Sequence, residues 1–557
     1  MKRAKRIDPW IMVSVVILAL YLLFLIYPMF NVLGRSVVED GKLTLKYFIT
    51  FFSQEYYIST LWNSFKVSIA TTAVSLILGI PLAYFYNIYE IHGRKLLQMV
   101  IVLCTMSAPF IGAYAWILLL GNNGVITAFL KTALNIKIPS IYGFSGILLA
   151  MSTRLFPLAF MYVSSAMQNI DNTLLEASAN LGCTGFKRFW KIGISLCMPS
   201  ILAAALMIFM RAFADFGTPL MIGEGYRTFP VEIYNQFVGE TGTNENFAAA
   251  ISVIAVIITA IIFLIQKFAN SKFQFTMNAL HPISRARPPN RRKKAKPLAN
   301  VLIHIYAYGL VGISMLPQLY LIYTSFRNSS KSGIAFVDGY SLMNYEKAFA
   351  RMNNTIFNTI FIGVTTLIVI VLFAILIAYL VVRRKSFLNN AIDTVSMLPY
   401  IIPGSVVGIA LIVSFKSGWL TLTGTAAIMI IAMCIRRIPY TIRSSVATLQ
   451  QIPLSIEEAA ISLGTSKPKT FFRITVPMMS SGIIAGAILS WVSVITELSS
   501  SIMLYSVKTT TLTIMVYALV NRGTYGQAAA VASILTVLTI LSLTLFNKIS
   551  KSDNITM

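Results

Sequence analysis

Apolar residues in this chain run in blocks of roughly 20, each long enough to cross a hydrocarbon core of ~30 Å as a helix. Backbone groups in lipid must be satisfied within the segment, so helices are expected, whereas the short alternating strands of a barrel do not match these blocks. The pattern predicts six spans in the first half, near Trp10–Leu33, Leu61–Tyr86, Leu96–Leu120, Ile141–Met167, Leu196–Ile222 and Phe247–Ile265. Six more are expected near Val301–Tyr323, Ile356–Val382, Ala391–Phe415, Leu420–Val446, Pro477–Leu504 and Ala528–Phe546. The fold class is therefore an all-α polytopic membrane protein of about 12 transmembrane helices. With six spans in each half and a linker on one side, the halves share an orientation and form parallel repeats.

The repeat extends to polar positions. At a constant offset Arg154, Pro157, Gln168, Ile170, Glu176, Ala177, Leu181, Gly182, Phe189 and Ile192 fall on Arg436, Pro439, Gln450, Ile452, Glu458, Ala459, Leu463, Gly464, Phe471 and Ile474. Earlier in each half Asn63, Ala83 and Tyr84 correspond to Asn358, Ala378 and Tyr379. Two unrelated apolar helices would not align charges, glycines and prolines, so internal duplication is the economical explanation. The expected organisation is a first transmembrane repeat over 1–266, a basic linker over 267–298 and a second transmembrane repeat over 299–557.

Charge fixes the expected orientation. Charged residues make up 11% of the chain, against ~25% in soluble domains, and the net charge of +26 is concentrated in short connections. Lys2-Arg3-Ala4-Lys5-Arg6, Gly93-Arg94-Lys95 and the linker with Arg285, Arg287, Arg291, Arg292, Lys293 and Lys294 carry much of it. Cytoplasmic loops have this bias, so the amino terminus and the linker are expected in the cytoplasm. The same cations suit a lipid bilayer with anionic headgroups, and nucleic acid is not an expected partner. The run from Trp10 to Leu33 is too long for a signal-peptide core and is expected to stay as the first span. Cys104, Cys183, Cys197 and Cys434 lack paired spacing and His92, His281 and His304 are the only histidines, so neither a metal centre nor another cofactor is expected.

Two segments break the apolar rhythm. Glu458-Ala459-Ala460-Ile461-Ser462-Leu463-Gly464 runs on through a basic stretch to Ile474-Thr475-Val476-Pro477, and Glu176-Ala177-Ser178-Ala179-Asn180-Leu181-Gly182 runs on to Ile192. Glu-Ala-Ala favours helix and glycine provides an exit, which predicts a helical knob between the fourth and fifth spans of each half. Two equivalent knobs suit a two-fold partner. Within the spans, charges are expensive and mark candidate sites. Asp215 aligns with Glu497 in the fifth span of each half, and the acids either carry a cation along the pathway or brace a helix break, with Arg211 one turn before Asp215 as a partner. Arg154 and Arg436 precede a proline in the fourth spans and are candidates for shaping the pathway or contacting the knobs.

The knob sequence resembles the coupling signature of ABC importer permeases. The second copy fits from Glu458 to Pro477; the first departs from it at Ser178 and at Ser195, although Pro199 occupies a site that is often proline in relatives. The resemblance implies a type I ABC importer permease fold in the plasma (inner) membrane, with both halves fused on one chain. It also implies docking of two cytoplasmic ABC ATPase subunits through Glu176, Ala177, Gly182, Glu458, Ala459, Ala460, Gly464 and Pro477, and delivery of solute by an extracytoplasmic solute-binding protein. The sequence contains no Gly-rich loop ending in Gly-Lys-Ser/Thr, so ATP hydrolysis is expected on separate subunits and not on this chain. Ala214 to Gly223 and Tyr226 to Tyr234 resemble the fused permeases of ferric iron importers, which implies iron as the solute. Similar permeases serve 2-aminoethylphosphonate, thiamine, polyamines and sulfate. An ion-coupled secondary transporter is the alternative from another class, since two parallel six-span halves also describe it, but matched knobs after the fourth and tenth spans are foreign to that class. A membrane enzyme lacks support, as no nucleophile–base pair or metal cluster is visible.

Overall fold

The computed structural model describes the chain apart from residues 1–8, 106–107, 137–138, 169, 171–176, 179, 184, 240–243, 279–293, 295, 331–335, 401 and 551–557. Glu176, the amino-terminal basic run and most of the basic tract of the linker thus lie outside the described residues. Among the described residues nine helices are long and apolar enough to cross a membrane, or eleven if each of two bent pairs is one span. A further helix of span length, Ala426–Gln451, carries Arg436, Arg437 and Arg443 and is too polar to be counted with them. Among the described residues the β-strands form two short antiparallel hairpins, Val38–Glu39 with Lys42–Leu43 and Arg327–Ser329 with Phe336–Tyr340.

Contacts divide the chain into two units that do not follow the sequence repeat. One consists of Gln54–Glu232 and Ile257–Leu321, the other of Met1–Ser53, Ile233–Val256 and Ile322–Met557. In the first unit Glu55–Ile88 packs on Phe144–Gln168, and a Cβ at Gly79 would meet the Ala159 Cβ at 2.5 Å. A small residue at that crossing is what lets the two backbones approach. The same core takes in the helix that begins the second repeat: Ile303, Ala307, Leu310 and Val311 join Leu82, Ala83, Phe156 and Phe160 in one buried cluster. Tyr306, anchored in that helix, donates its hydroxyl to the carbonyl of Leu78 at 2.8 Å.

The second unit shows the reciprocal arrangement. Pro9–Val37, the first span of the chain, packs on helices of the second repeat, with Ser14 donating to the Asn389 side chain at 2.7 Å and Asn31 to Ser414 at 2.9 Å. Glu245, at the start of Glu245–Ile265, pairs with both Arg35 and Lys416 at 2.7 Å. Close crossings recur here: a Cβ at Gly486 would lie 2.6 Å from the Thr441 Cα, so Ala426–Gln451 and Ser480–Ile495 meet at small side chains. The first span of each repeat is therefore housed among the helices of the other repeat's sequence.

Candidate functional site

The knobs are built from backbone geometry that glycine makes available. Leu454–Ser462 is helical, and Gly464 leaves the helix at φ +89°. Its N–H donates to the Ile461 carbonyl at 2.9 Å, while the Thr465 N–H reaches back to Ala460 at 3.1 Å. These two bonds form a Schellman cap, which satisfies carbonyls that a helix end otherwise leaves exposed. The first copy repeats it: Gly182 has φ +77° and the Cys183 N–H donates to the Ser178 carbonyl at 2.9 Å. Ser178, which departs from the Glu-Ala-Ala pattern, is buried like its counterpart Ala460. Ala177 and Ala459 are exposed. Beside each glycine stands a leucine turned to solvent, Leu181 and Leu463, both 87% exposed.

Each knob is tied mechanically to a span. Beyond the cap both copies enter the fifth span through a π-helical turn, Phe189–Gly193 and Phe471–Thr475, a wide turn that is frequent at functional sites. The first residue of each turn packs on the tyrosine near the end of the second span of its repeat. Phe189 lies 4.1 Å from Tyr84 and Phe471 lies 4.8 Å from Tyr379 between ring centroids, and Trp10 completes the second cluster at 5.1 Å from Phe471. The copies then differ. Phe189–Phe213 passes as one helix, whereas Lys467–Met478 and Ser480–Ile495 meet at 68°. Pro477 stands just before that bend, where it supplies no N–H to the preceding turn.

Sequence reading overlooked a second tie. Glu457, beside the exposed Glu458, is buried and pairs with Arg383 at 2.8 Å, and Arg383 also donates to the Ile452 carbonyl at 2.7 Å. Leu454–Ser462 is thereby fastened to the end of Thr355–Arg383. A cation closing a span and an acid inside a Glu-Glu pair were the available signals, but only the fold brings them together.

The intramembrane charges form two equivalent clusters, one in each unit. Asp215 lies past the end of Ile194–Phe213, accepts the N–H and the hydroxyl of Thr218 at 3.1 Å each, and forms an ion pair with Arg154. Glu497 lies past Ser480–Ile495, accepts the Ser500 N–H at 3.1 Å and the Ser499 hydroxyl at 2.6 Å, and pairs with both Arg436 and Arg437. Each acid thus holds the chain where the apolar block breaks before the short helices Gly217–Ile222 and Ser501–Leu504. This corrects the expected partner: Asp215 is braced by Arg154 of the fourth span instead of Arg211. The helix ends at Phe213, so the one-turn geometry that would bring Arg211 beneath Asp215 is lost. Arg211 remains close enough to act electrostatically on Arg154. Both oxygens of each carboxylate accept hydrogen bonds or ion pairs, so neither acid offers an open face of the kind a hard cation needs. Arg154 and Arg436 join these clusters.

The model of the family described as binding-protein-dependent transport system inner membrane component matches residues 75–274 and again 340–552, one match per repeat. A ferric transport system permease protein of Actinobacillus pleuropneumoniae is 25% identical over 541 residues, 96% of this chain and 77% of that protein. A putative ferric transport system permease protein of Haemophilus influenzae is 25% identical over 510 residues, 90% of this chain and 79% of that protein. Among solved structures, a bacterial ABC transporter involved in the import of the acidic polysaccharide alginate is similar at 18% identity with a TM-score of 0.39, over 47% of this chain and 94% of that one.

Proposed function

Because the chain belongs to the family of binding-protein-dependent transport system inner membrane components, with two copies of the family's domain fused in one polypeptide, we propose that it is the transmembrane permease of an ATP-driven importer of ferric iron. The observation that carries the importer reading is the pair of knobs, each closed by a glycine in the left-handed region and each presenting an exposed leucine beside it. Two equivalent surfaces suit two equivalent ATPase subunits. The knobs bear the ATPases through Glu176, Ala177, Gly182, Glu458, Ala459, Ala460 and Gly464, and Pro477 sets the direction of the helix that follows. Phe189 on Tyr84 and Phe471 on Tyr379 pass movement of the knobs to the spans. Ferric iron rests on similarity to ferric transport permeases over nearly the whole chain. An extracytoplasmic binding protein delivers the solute, and the amino terminus and linker face the cytoplasm, as their cations require.

Asp215 and Glu497, with Arg154 and Arg436, brace the helix breaks of the fifth spans and do not carry the ion themselves. Reconstitution of the chain with its ATPase subunits and binding protein in liposomes tests the reading. ATP inside the cytoplasmic compartment is expected to drive uptake of ferric iron. Uptake driven by an ion gradient without any ATPase overturns the importer assignment, and ATP-driven uptake of an aminoethylphosphonate in preference to iron overturns the substrate.

A further inference from the structure

The third span of the second repeat is broken, and the helix after the break, Gly404–Phe415, starts in the interior of the protein, with Gly404, Ser405 and Val406 all buried. The N–H groups of a first helical turn have no carbonyl partners within their own helix, and Pro403 at the N-cap brings no side-chain acceptor to them. Away from water such donors need an acceptor, and the positive end of the helix dipole makes an anion the most favourable one. Two side chains add donors to the same turn. The Ser405 hydroxyl is buried and has no hydrogen-bond partner among the described residues. Arg436 lies over Gly404, where an added Cβ would fall 2.5 Å from its Nη1 and 2.8 Å from its Cζ. Its side chain is only 10% exposed and uses Nη1 on Glu497, Ser499 and Ser500, while its Nε is buried with no partner among the described residues. Glu497 is shared with Arg437, so one carboxylate serves two guanidinium groups. Buried polar groups are nearly always paired, and here a helix start, a hydroxyl and a guanidinium edge without acceptors meet on one turn.

We propose that the first turn of Gly404–Phe415 and the Arg436 guanidinium form a binding site for a small tetrahedral oxyanion of the phosphate or sulfate type. The Nε edge of the guanidinium presents a planar donor pair that matches two oxygens of such an anion, and the remaining oxygens can accept from the Ser405 hydroxyl and the first-turn N–H groups. Nη1 stays on Glu497, so the brace at the break of the fifth span is kept while the other edge of the same guanidinium binds. Glycine at 404 is what lets Arg436 approach the helix start, because any Cβ there would meet it. The first repeat does not reproduce the turn. Pro109–Leu120 packs there against Gly217–Ile222, with a Cβ on Gly217 falling 3.1 Å from the Phe110 Cβ, as Gly404–Phe415 packs against Ser501–Leu504, with a Cβ on Gly408 falling 2.7 Å from the Met503 Cβ. It opens with Pro109, which has no N–H, and the fully buried Phe110, which has no hydroxyl. Arg154 has a buried Nε without a partner as well, but it has no such helix start to complete a site. The oxyanion site therefore belongs to the second repeat, and it does not depend on which solute the chain carries.

Equilibrium dialysis of the full-length chain in detergent against radiolabelled inorganic phosphate provides the test. Binding is expected to saturate at a single phosphate per chain and to be displaced by sulfate but not by chloride at matched ionic strength, since a halide cannot bridge the fork, the hydroxyl and the helix start. Arg436→Lys keeps a cation against Glu497 but gives up the planar fork, and it should abolish binding. Ser405→Ala removes a hydroxyl that has no protein partner to lose, so it should fold normally and weaken binding several-fold, and it decides the matter if Arg436→Lys does not fold. Absence of saturable binding by the unaltered chain, displacement by chloride as effective as by sulfate, or full-strength binding by Ser405→Ala overturns the site. In proteoliposomes with the ATPase subunits and binding protein, label that crosses with ATP hydrolysis marks the oxyanion as travelling with the solute, whereas label retained on the chain marks a resident ion; the site stands in both. Dialysis is read without iron, ATPase or transport, so failure of the oxyanion site leaves the ferric reading untouched.

Discussion

The Arg154–Asp215 pair makes the most quantitative demand on the structure. The Asp215 side chain is 2% exposed and that of Arg154 15%, so replacing Asp215 by leucine leaves a nearly buried guanidinium without its ion-pair partner. Breaking a buried pair from one side costs about 3–5 kcal/mol, and the Thr218 N–H loses an acceptor worth about 1 kcal/mol in a capping position. Arg154→Met strands the carboxylate in the same way but leaves Thr218 bonded, so its cost is expected near the lower end, about 3 kcal/mol. The double variant Arg154→Met/Asp215→Leu removes both charges and is expected to lose only about 1–2 kcal/mol, because a buried pair replaced by apolar residues is often close to neutral. The coupling energy in a double-mutant cycle is therefore expected to exceed about 2 kcal/mol. Unfolding by sodium dodecyl sulfate in mixed micelles, followed by circular dichroism, measures all four proteins. The second cluster supplies an internal comparison, since Arg436→Met leaves Arg437 on Glu497 and Glu497→Leu strands two arginines. The cost should fall below that of Arg154→Met in the first case and rise above that of Asp215→Leu in the second. Additivity of the Arg154 and Asp215 substitutions within about 0.5 kcal/mol, the range for sites that do not interact, refutes the brace.

Gly464→Ala meets no atom within 4 Å but places a Cβ on a residue at φ +89°, so it should cost about 1–2 kcal/mol of local stability and lower ATP-driven uptake. Gly464→Pro or reversal of the charge at Glu458 should abolish coupling, with ATPase activity measured in proteoliposomes no longer linked to transport; normal transport in either variant removes the knob from the mechanism. Glu457→Gln breaks the tie to Arg383 while leaving the exposed surface of Leu454–Ser462 unchanged. ATPase subunits should still bind, as read by co-purification, while transport per ATP falls several-fold, and a parallel loss of binding would assign Glu457 to the docking surface instead.

Much of the knob was legible because its chemistry is local. A glycine after a Glu-Ala-Ala helix predicts a left-handed exit, and Gly182 and Gly464 both take it. The duplication was legible too, since equivalent residues such as Phe189 and Phe471 occupy equivalent π turns and meet equivalent tyrosines. What the chain's pattern did not reveal depends on contacts far apart in sequence. Hydropathy marks Pro9–Val37 as a span but says nothing of which repeat it packs against. Glu457 and Glu458 are indistinguishable as neighbouring acids on a helix, yet one is buried against Arg383 and the other faces water. The reading that gave Asp215 to Arg211 assumed that the helix continues; its end at Phe213 hands the carboxylate to a different span.

The two knobs share one set of features and differ in another. Glycine caps, exposed leucines, π turns and Phe–Tyr contacts are common to both, and they form an unbroken path from the knob surface to the second and fifth spans. The Glu457–Arg383 tie is not: Leu175 and Ile88 stand at the aligned positions of the first repeat, so the same ion pair has no charges to form it. Glu497 holds two arginines where Asp215 holds one in an ion pair, and the sequence has Leu155 where the second half has Arg437. The Glu457–Arg383 tie, the Arg437–Glu497 pair and the 68° bend belong to the second half. An ion pair between the knob and the end of the second span limits local bending, so the Glu457–Arg383 tie is expected to stiffen the second knob as a lever. Transferring the tie tests this ordering: Leu175→Glu with Ile88→Arg in the first repeat should raise transport per ATP in a Glu457→Gln background, and no gain would mean that the tie serves stability and not transmission.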